Sequence, residues 1–88
     1  MKQQEIFLYQ DNERLKEQLI IMSNTLPFND PLTKLYFDYT VEDISRGSSI
    51  KECENSLKFF EDLELYEECQ GIYLAIEYAK FFISLSKI

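Results

Sequence analysis

The 88-residue chain has no histidine and only two cysteines, two glycines and two prolines. Without histidine, general acid–base chemistry would fall to carboxylates, and two cysteines do not complete the four ligands of a structural zinc site. No glycine-rich loop and no nucleophile motif is present either. We therefore expect no catalytic site, no metal and no cofactor. The few glycines and prolines leave few places to turn, which favours a few long elements.

Long apolar runs are also missing. No stretch of about 18–20 residues is free of charge, as a membrane-spanning helix would require. The nearest candidate, residues 71–88, is interrupted by Glu77 and Lys80. The apolar run at residues 6–9 is too short for the hydrophobic region of a signal peptide. We expect a cytoplasmic protein that does not enter a membrane.

Basic residues are scarce, since nine Lys and Arg face sixteen Asp and Glu and leave a net charge of −7. An acidic surface repels phosphate backbones and anionic lipid. Six Tyr and seven Phe are present, but a base-stacking platform needs a basic groove around its rings. Direct nucleic-acid binding is therefore not expected. The aromatic side chains are assigned to the core or to a protein interface.

Apolar residues make up 45% of the chain, which is typical of a folded domain. A chain of this length forms one domain and buries roughly 60–65% of its unfolded surface. Residues 36–41 are rich in β-formers, but no second strand is present to pair with them. The sequence predicts an all-α fold, a small bundle of three to four helices in a single domain over residues 1–88. Its parts are a helix at 3–22, a linker at 23–30, a helix at 31–46 and an antiparallel helical hairpin at 49–86.

Cap signals set several of these boundaries. Asp30 followed by Pro31 is typical of an N-cap and the first residue of a helix. Gly47 is predicted to end that helix. Ser49 and Glu52 have the spacing of a capping box at the start of the next helix.

The third and fourth helices are predicted to separate near residues 62–65, although no glycine or proline lies there. A continuous helix would be unusually long without a coiled-coil partner. Aligning the apolar stripes of the two helices places Cys53 opposite Cys69 and Ile50 opposite Ile72. Facing helices lie about 8–10 Å apart, whereas a disulfide needs Cα atoms within roughly 7 Å. We therefore expect both thiols to be reduced core residues.

The first helix admits two interpretations. Its apolar positions fit an amphipathic helix packed on the core of its own domain. Read as heptads, Leu8, Leu15 and Met22 occupy position d, and Asn12 and Leu19 occupy position a, as in a parallel two-stranded coiled coil. The short length favours the first interpretation. The second would make Leu15 and Leu19 interface residues.

The fourth helix is apolar nearly all round. One stripe comprises Cys69, Ile72, Tyr73, Ile76 and Ile83. A second stripe lies on nearly the opposite side and comprises Leu74, Tyr78, Phe81 and Leu85. Since such a helix must be buried nearly all round, we expect a second copy or a partner protein to cover the second stripe.

Gly71, Ala75 and Ala79 form a ridge of small residues in the same helix. A glycine inside a helix costs about 1 kcal/mol relative to alanine, so it usually marks the close approach of a neighbour. The ridge fits ordinary core packing or an intermolecular helix contact, and core packing is the commoner use of small residues. The aromatic residues that could fill it are Phe7, Phe28, Phe37 and Phe59.

Five acids without an intervening base cluster at the predicted hairpin tip: Glu61, Asp62, Glu64, Glu67 and Glu68. Three interpretations remain open, namely a solvated turn, a docking patch for a basic partner, and carboxylates that imitate phosphates. Charge runs are most often solvated. Their spacing does not match a calcium-binding EF-hand loop.

Part of the predicted hairpin follows a recognisable pattern of an aromatic residue, an acid, a small residue and two apolar residues: Tyr66, Glu67, Cys69, Ile72 and Ile76. In this respect residues 50–76 resemble the UVR helical hairpin, which subunits of nucleotide-excision repair use to recognise one another. Gln70 replaces the family's second small residue, and Tyr73 stands where the family usually has arginine. The resemblance implies a protein-docking hairpin and does not extend to a role in DNA repair.

We expect a small non-catalytic protein–protein interaction module of the adaptor, chaperone or inhibitor type. It would act through apolar helix faces and form a homodimer, with a hetero-partner as the second possibility. The alternative function is an acidic inhibitor or nucleic-acid mimic that blocks a basic groove of a nucleic-acid-binding protein, as phage-type inhibitors do. Salt distinguishes the two, because a complex driven by carboxylates weakens steeply at high ionic strength.

Overall fold

The computed structural model describes the backbone of residues 2–86 and the side chains of residues 13–85. Over these residues the chain forms four α-helices and no strand, which confirms the all-α class. The helices are α1 (Lys2–Thr25), α2 (Pro31–Ser45), α3 (Ile50–Asp62) and α4 (Tyr66–Ser86). Helix α1 ends three residues later than predicted. The Thr25 hydroxyl donates a hydrogen bond to the Ile21 carbonyl at 2.8 Å and so satisfies part of that last turn.

The predicted caps are present. The Asp30 carboxylate accepts a hydrogen bond from the Leu32 amide at 2.8 Å, and Pro31 is the first residue of α2. At the start of α3, the Ser49 hydroxyl accepts from the Glu52 amide at 3.1 Å. The Glu52 carboxylate in turn accepts from the Ser49 amide at 2.9 Å, which lowers the pKa of Glu52. Both helices therefore begin where their local sequence predicts.

Helices α2 and α3 end in the same way, with a Schellman motif. After α2, Gly47 has a φ of +103° and its amide donates to the Ile44 carbonyl. After α3, Glu64 takes the equivalent position with a φ of +60°, and the Leu65 amide donates to the Phe60 carbonyl at 3.1 Å. The break between α3 and α4 thus falls within the predicted segment. It lacked a glycine signal because a glutamate occupies the left-handed position.

The predicted alignment of α3 with α4 is wrong. It places Glu54 opposite Glu68, but Glu54 instead accepts a hydrogen bond from the Lys80 ammonium at 3.0 Å, which raises the pKa of Lys80. Lys80 lies on the order of 18 Å further along the helix than Glu68. The predicted pairing of Cys53 with Cys69 depends on the same alignment and is therefore also wrong. Apolar stripes repeat at every turn, so several alignments bury them equally well, and the position of the turn decides among them.

The core lies mainly between α2 and α4, which make the most extensive contact in the described part of the molecule. Phe37, Leu19 and Ile76 are its largest fully buried side chains. Gly71 marks the crossing point, because a Cβ atom there would collide with the Thr33 carbonyl and lie 2.8 Å from the Phe37 amide nitrogen. The small-residue ridge therefore serves core packing, as predicted, although the neighbour that approaches is the backbone of α2.

Helix α1 packs on α2 and α4. Leu15 and Leu19 belong to the core cluster, so the amphipathic interpretation of this helix is the one that describes it. A polar contact fixes α1 to α2, since the Lys34 ammonium donates to Ser23 at 3.0 Å and to Asp38 at 3.1 Å. Among the residues described, no helix has the length and apolarity needed to cross a membrane.

Candidate protein-binding surfaces

The second apolar stripe of α4 is covered at its N-terminal end and uncovered at its C-terminal end. Leu74 and Tyr78 are half-buried and pack against the core cluster. Phe81 and Leu85 are 55% and 50% exposed. We call Phe81 and Leu85, together with the bordering Tyr78, the C-terminal apolar face. Two residues of the predicted stripe are thus partly covered by the chain itself, and two are exposed.

The connection between α1 and α2 explains this difference. Leu74 lines a groove together with Leu26, Pro27 and Phe28, which belong to that connection. Further along α4, Tyr78 stacks on Phe82 with ring centroids 6.4 Å apart. No comparable segment of the described chain covers Phe81 and Leu85.

The opposite side of α4 is buried. Ile72, Ala75, Ile76 and Ala79 are all buried against the rest of the bundle. Lys80 lies on the flank, where it bonds to Glu54 of α3 and, at 3.8 Å, to Glu77 of its own helix. The three sides of α4 therefore have different environments: a dry core, a charged flank and an open apolar face.

Leu15 and Leu19 lie in the core and not at an interface, contrary to the coiled-coil interpretation of α1. Leu19 is 0% exposed and Leu15 is 8% exposed, so neither is available to a partner while the bundle is folded. Their heptad spacing is also the spacing of a stripe packed on the chain's own core, which is where it lies. The side chains of Leu8 and Asn12, on which the coiled-coil interpretation also depended, lie outside the described residues.

The acidic cluster lies at the tip of the α3–α4 hairpin. Glu61, Asp62, Glu64 and Glu67 are exposed, and Glu68 is half-buried. The one cation bonded to this group among residues 13–85 is Lys58, at 3.9 Å from Asp62. Three large apolar side chains, Leu63, Leu65 and Tyr66, are exposed between the acids, and the exposed Phe59 precedes them. This mixture was not predicted from the sequence, although the alternation of acids with apolar residues between Glu61 and Glu67 could have indicated it.

Four aromatic rings form a second feature that sequence reasoning missed. The ring centroids of Tyr39 and Tyr36 are 5.3 Å apart, as are those of Tyr36 and Phe60, and Phe59 follows at 5.4 Å from Phe60. We call these four residues the aromatic strip. It crosses from α2 to α3, so only the tertiary structure brings its two halves together. The spacing of Tyr36 and Tyr39 was the one local signal, because residues three apart share a helix face.

The two cysteines are free thiols in separate environments. Burial, reinforced by Asp43, Glu52 and Glu54, raises the pKa of Cys53 to about 11. Burial together with Glu61 and Glu68 also raises the pKa of Cys69. A thiol with a raised pKa is a poor nucleophile at neutral pH. Within the described residues, no group of three potential ligands from His, Cys, Asp or Glu is placed to hold a metal ion.

Comparison with protein-family models, with curated protein sequences and with solved structures finds no match to this chain. The resemblance of residues 50–76 to the UVR hairpin therefore stays a prediction.

Proposed function

We propose that the chain is a non-catalytic protein-interaction module and that a second copy covers its C-terminal apolar face. The observation that supports this is the contrast within α4. Phe81 and Leu85 are half exposed on one side, while the side that faces the bundle is dry. Two large apolar residues four positions apart on one helix present a continuous surface to a partner helix.

A symmetric dimer is the simplest occupant, because an apolar helix face is self-complementary across a two-fold axis. Burying the exposed halves of Phe81 and Leu85 would contribute about 1 kcal/mol each, or about 4 kcal/mol over two copies. Association itself costs at least that much in lost motion. Burial of these two residues alone does little more than offset that cost, so we expect a weak, reversible dimer in which Tyr78 adds contact area, with a dissociation constant in the millimolar range or above.

Adaptor, chaperone and inhibitor roles in the cytoplasm all fit such a module. In each of them a hetero-partner would compete with the second copy for the same face. A partner that brings its own apolar helix would bind in the manner of a helix laid into a hydrophobic groove.

The acidic inhibitor is the second candidate function. It is favoured by the exposure of Glu61, Asp62, Glu64 and Glu67 on one tip. Large apolar side chains, Leu63, Leu65 and Tyr66, are exposed between these acids, so the tip does not present a continuous surface of carboxylates. For that reason we favour the apolar face.

Light scattering across a concentration series, at about 0.1 M and about 0.5 M NaCl, tests the proposal. A dimer that persists at the higher salt concentration is the expected result. A strict monomer at every concentration would overturn self-association. The variant Glu64→Lys/Glu67→Lys/Glu68→Lys separates the two functions, because it should leave the apolar dimer intact and abolish any complex driven by the acidic tip.

A further inference from the structure

The aromatic strip exposes two of its four rings to solvent. Phe59 is 60% exposed and Tyr39 is 53% exposed, while Tyr36 and Phe60 between them are half-buried and pack against the core. The inner two rings thus hold the outer two in edge-to-face contact. Exposed rings fixed in this way lose little conformational entropy on binding, which makes them effective contact residues.

A groove of about 430 Å³ runs beside the strip between α2 and α3. Tyr36, Tyr39 and Phe60 line it, and its charged lining residues at the C-terminal end of α2 are Glu42, Asp43 and Arg46. The three steps between neighbouring ring centroids cover a path on the order of 15 Å, the length of about five residues of extended chain. The path along the four rings is therefore long enough to contact at most about five residues of an extended peptide.

Carboxylates lie at both ends of the strip. Glu42 and Asp43 line the groove at one end, and Glu61 and Asp62 directly follow Phe59 and Phe60 at the other. Of these four acids, Glu42 is bonded to Arg46 at 3.2 Å and Asp62 to Lys58 at 3.9 Å.

Asp43 and Glu61 have no ion-pair partner among residues 13–85. Arg46 and Lys58 offset two of the four acids, so the surface around the rings keeps an excess of two negative charges. Of the two unpaired carboxylates, Asp43 lines the groove and Glu61 directly follows Phe60. Both are available to bind cations of a partner.

We infer that the aromatic strip binds a cationic, arginine-containing segment of a partner protein. A guanidinium group stacks on Tyr and Phe rings and donates paired hydrogen bonds to carboxylates, so arginine satisfies both features of this surface at once. Lysine offers only a point charge and is expected to bind more weakly. Nucleic acid, which also stacks on aromatic rings, is disfavoured because its phosphates would face unpaired carboxylates. This surface is separate from the C-terminal apolar face and does not depend on the dimer.

The test uses a fluorescein-labelled peptide of alternating arginine and alanine, titrated against the full chain by anisotropy and by amide NMR shifts. Binding should produce shifts concentrated at Tyr36, Tyr39, Phe59 and Phe60. The variant Tyr39→Ala/Phe59→Ala should weaken binding about tenfold, since it removes the two exposed rings. The matched control Ile21→Ala/Leu32→Ala removes exposed apolar groups outside both proposed surfaces and should leave binding unchanged. Circular dichroism checks that both variants remain helical.

Charge is tested separately. Asp43→Asn/Glu61→Gln should weaken binding several-fold and reduce its dependence on salt. The lysine–alanine peptide should bind more weakly than the arginine–alanine peptide.

Equal binding by wild type and Tyr39→Ala/Phe59→Ala would overturn the inference, because attraction would then follow net charge alone. Tighter binding of a single-stranded oligonucleotide than of the arginine peptide would also overturn it. If the chain proves monomeric but still binds the peptide at the strip, the dimer proposal fails and this one stands.

Discussion

Gly71 is the residue on which the contact between α2 and α4 depends most directly. A Cβ atom at this position would meet backbone atoms of Thr33 and Phe37, and backbone cannot rotate away as a side chain can. The Thr33 hydroxyl also donates to the Glu67 carbonyl at 2.9 Å, which holds the two helices at this short separation. The close approach therefore outweighs the cost of a glycine inside a helix.

The substitution Gly71→Ala should lower the free energy of unfolding. Higher helix propensity would add about 1 kcal/mol, but separating the packed helices should cost more, so we expect a net loss of about 1–3 kcal/mol. Urea denaturation followed by circular dichroism measures the change. Gln70→Ala, at the exposed neighbouring position, is the control and should be neutral or slightly stabilising. A stabilised Gly71→Ala variant would show that the helices are not in close contact.

Cys53 should make stability depend on alkaline pH. Its pKa in the folded chain is raised from 9.0 to about 11, so the folded state holds the thiol proton more tightly than the unfolded state. This contribution to stability is fully present below about pH 9 and is lost as pH rises through about 11. Wild type should therefore lose more stability over that range than Cys53→Ala, as measured by urea denaturation at each pH.

The same burial protects both thiols from alkylation. In the native chain, iodoacetamide should modify Cys53 and Cys69 far more slowly than in urea, because the thiolate is the reactive form. Mass spectrometry after timed quenching measures both rates. Equal rates in the native and denatured chains would contradict the raised pKa values and the burial.

At the scale of elements, substitutions in the two Schellman motifs should change the free energy of unfolding in opposite directions. Glu64 occupies a left-handed backbone position that costs a residue with a Cβ atom about 1 kcal/mol, and Gly47 occupies the equivalent position without that cost. Glu64→Gly should therefore raise the free energy of unfolding by up to about 1 kcal/mol. Gly47→Ala should lower it by a similar amount. Thermal melts of both variants give the comparison, and changes of the same sign would show that the two turns are not equivalent.

The elements differ in how far the sequence predicts them. Asp30 and the Ser49–Glu52 capping box are recognisable because each cap involves residues only two or three apart. The alignment of α3 with α4 could not be recognised from the sequence. An apolar repeat fits every turn equally well, and a glutamate such as Glu64 does not indicate a left-handed backbone position.

Of the two candidate binding surfaces, one was predicted from the sequence and the other was not. Phe81 and Leu85 were predicted from the periodicity of one helix. The aromatic strip was not predicted, because Tyr36 and Phe60 come into contact only when α2 and α3 pack side by side.

At the scale of the whole molecule, the bundle encloses one part of its apolar surface and leaves another part open. Leu15, Leu19 and the inner side of α4 form a single core. The connection between α1 and α2 covers Leu74, but α4 continues beyond it to Ser86 with Phe81 and Leu85 uncovered. We propose this uncovered face as the place where a second copy binds.

Sedimentation equilibrium of three proteins tests this claim most directly: wild type, Phe81→Ser/Leu85→Ser, and Phe59→Ser/Leu63→Ser as a matched pair of exposed residues at the hairpin tip. We predict that wild type and the tip variant form a dimer with rising concentration, and that Phe81→Ser/Leu85→Ser remains monomeric while it keeps its helical content. A dimer of undiminished affinity in Phe81→Ser/Leu85→Ser, or a wild-type chain that is monomeric throughout, would contradict the account.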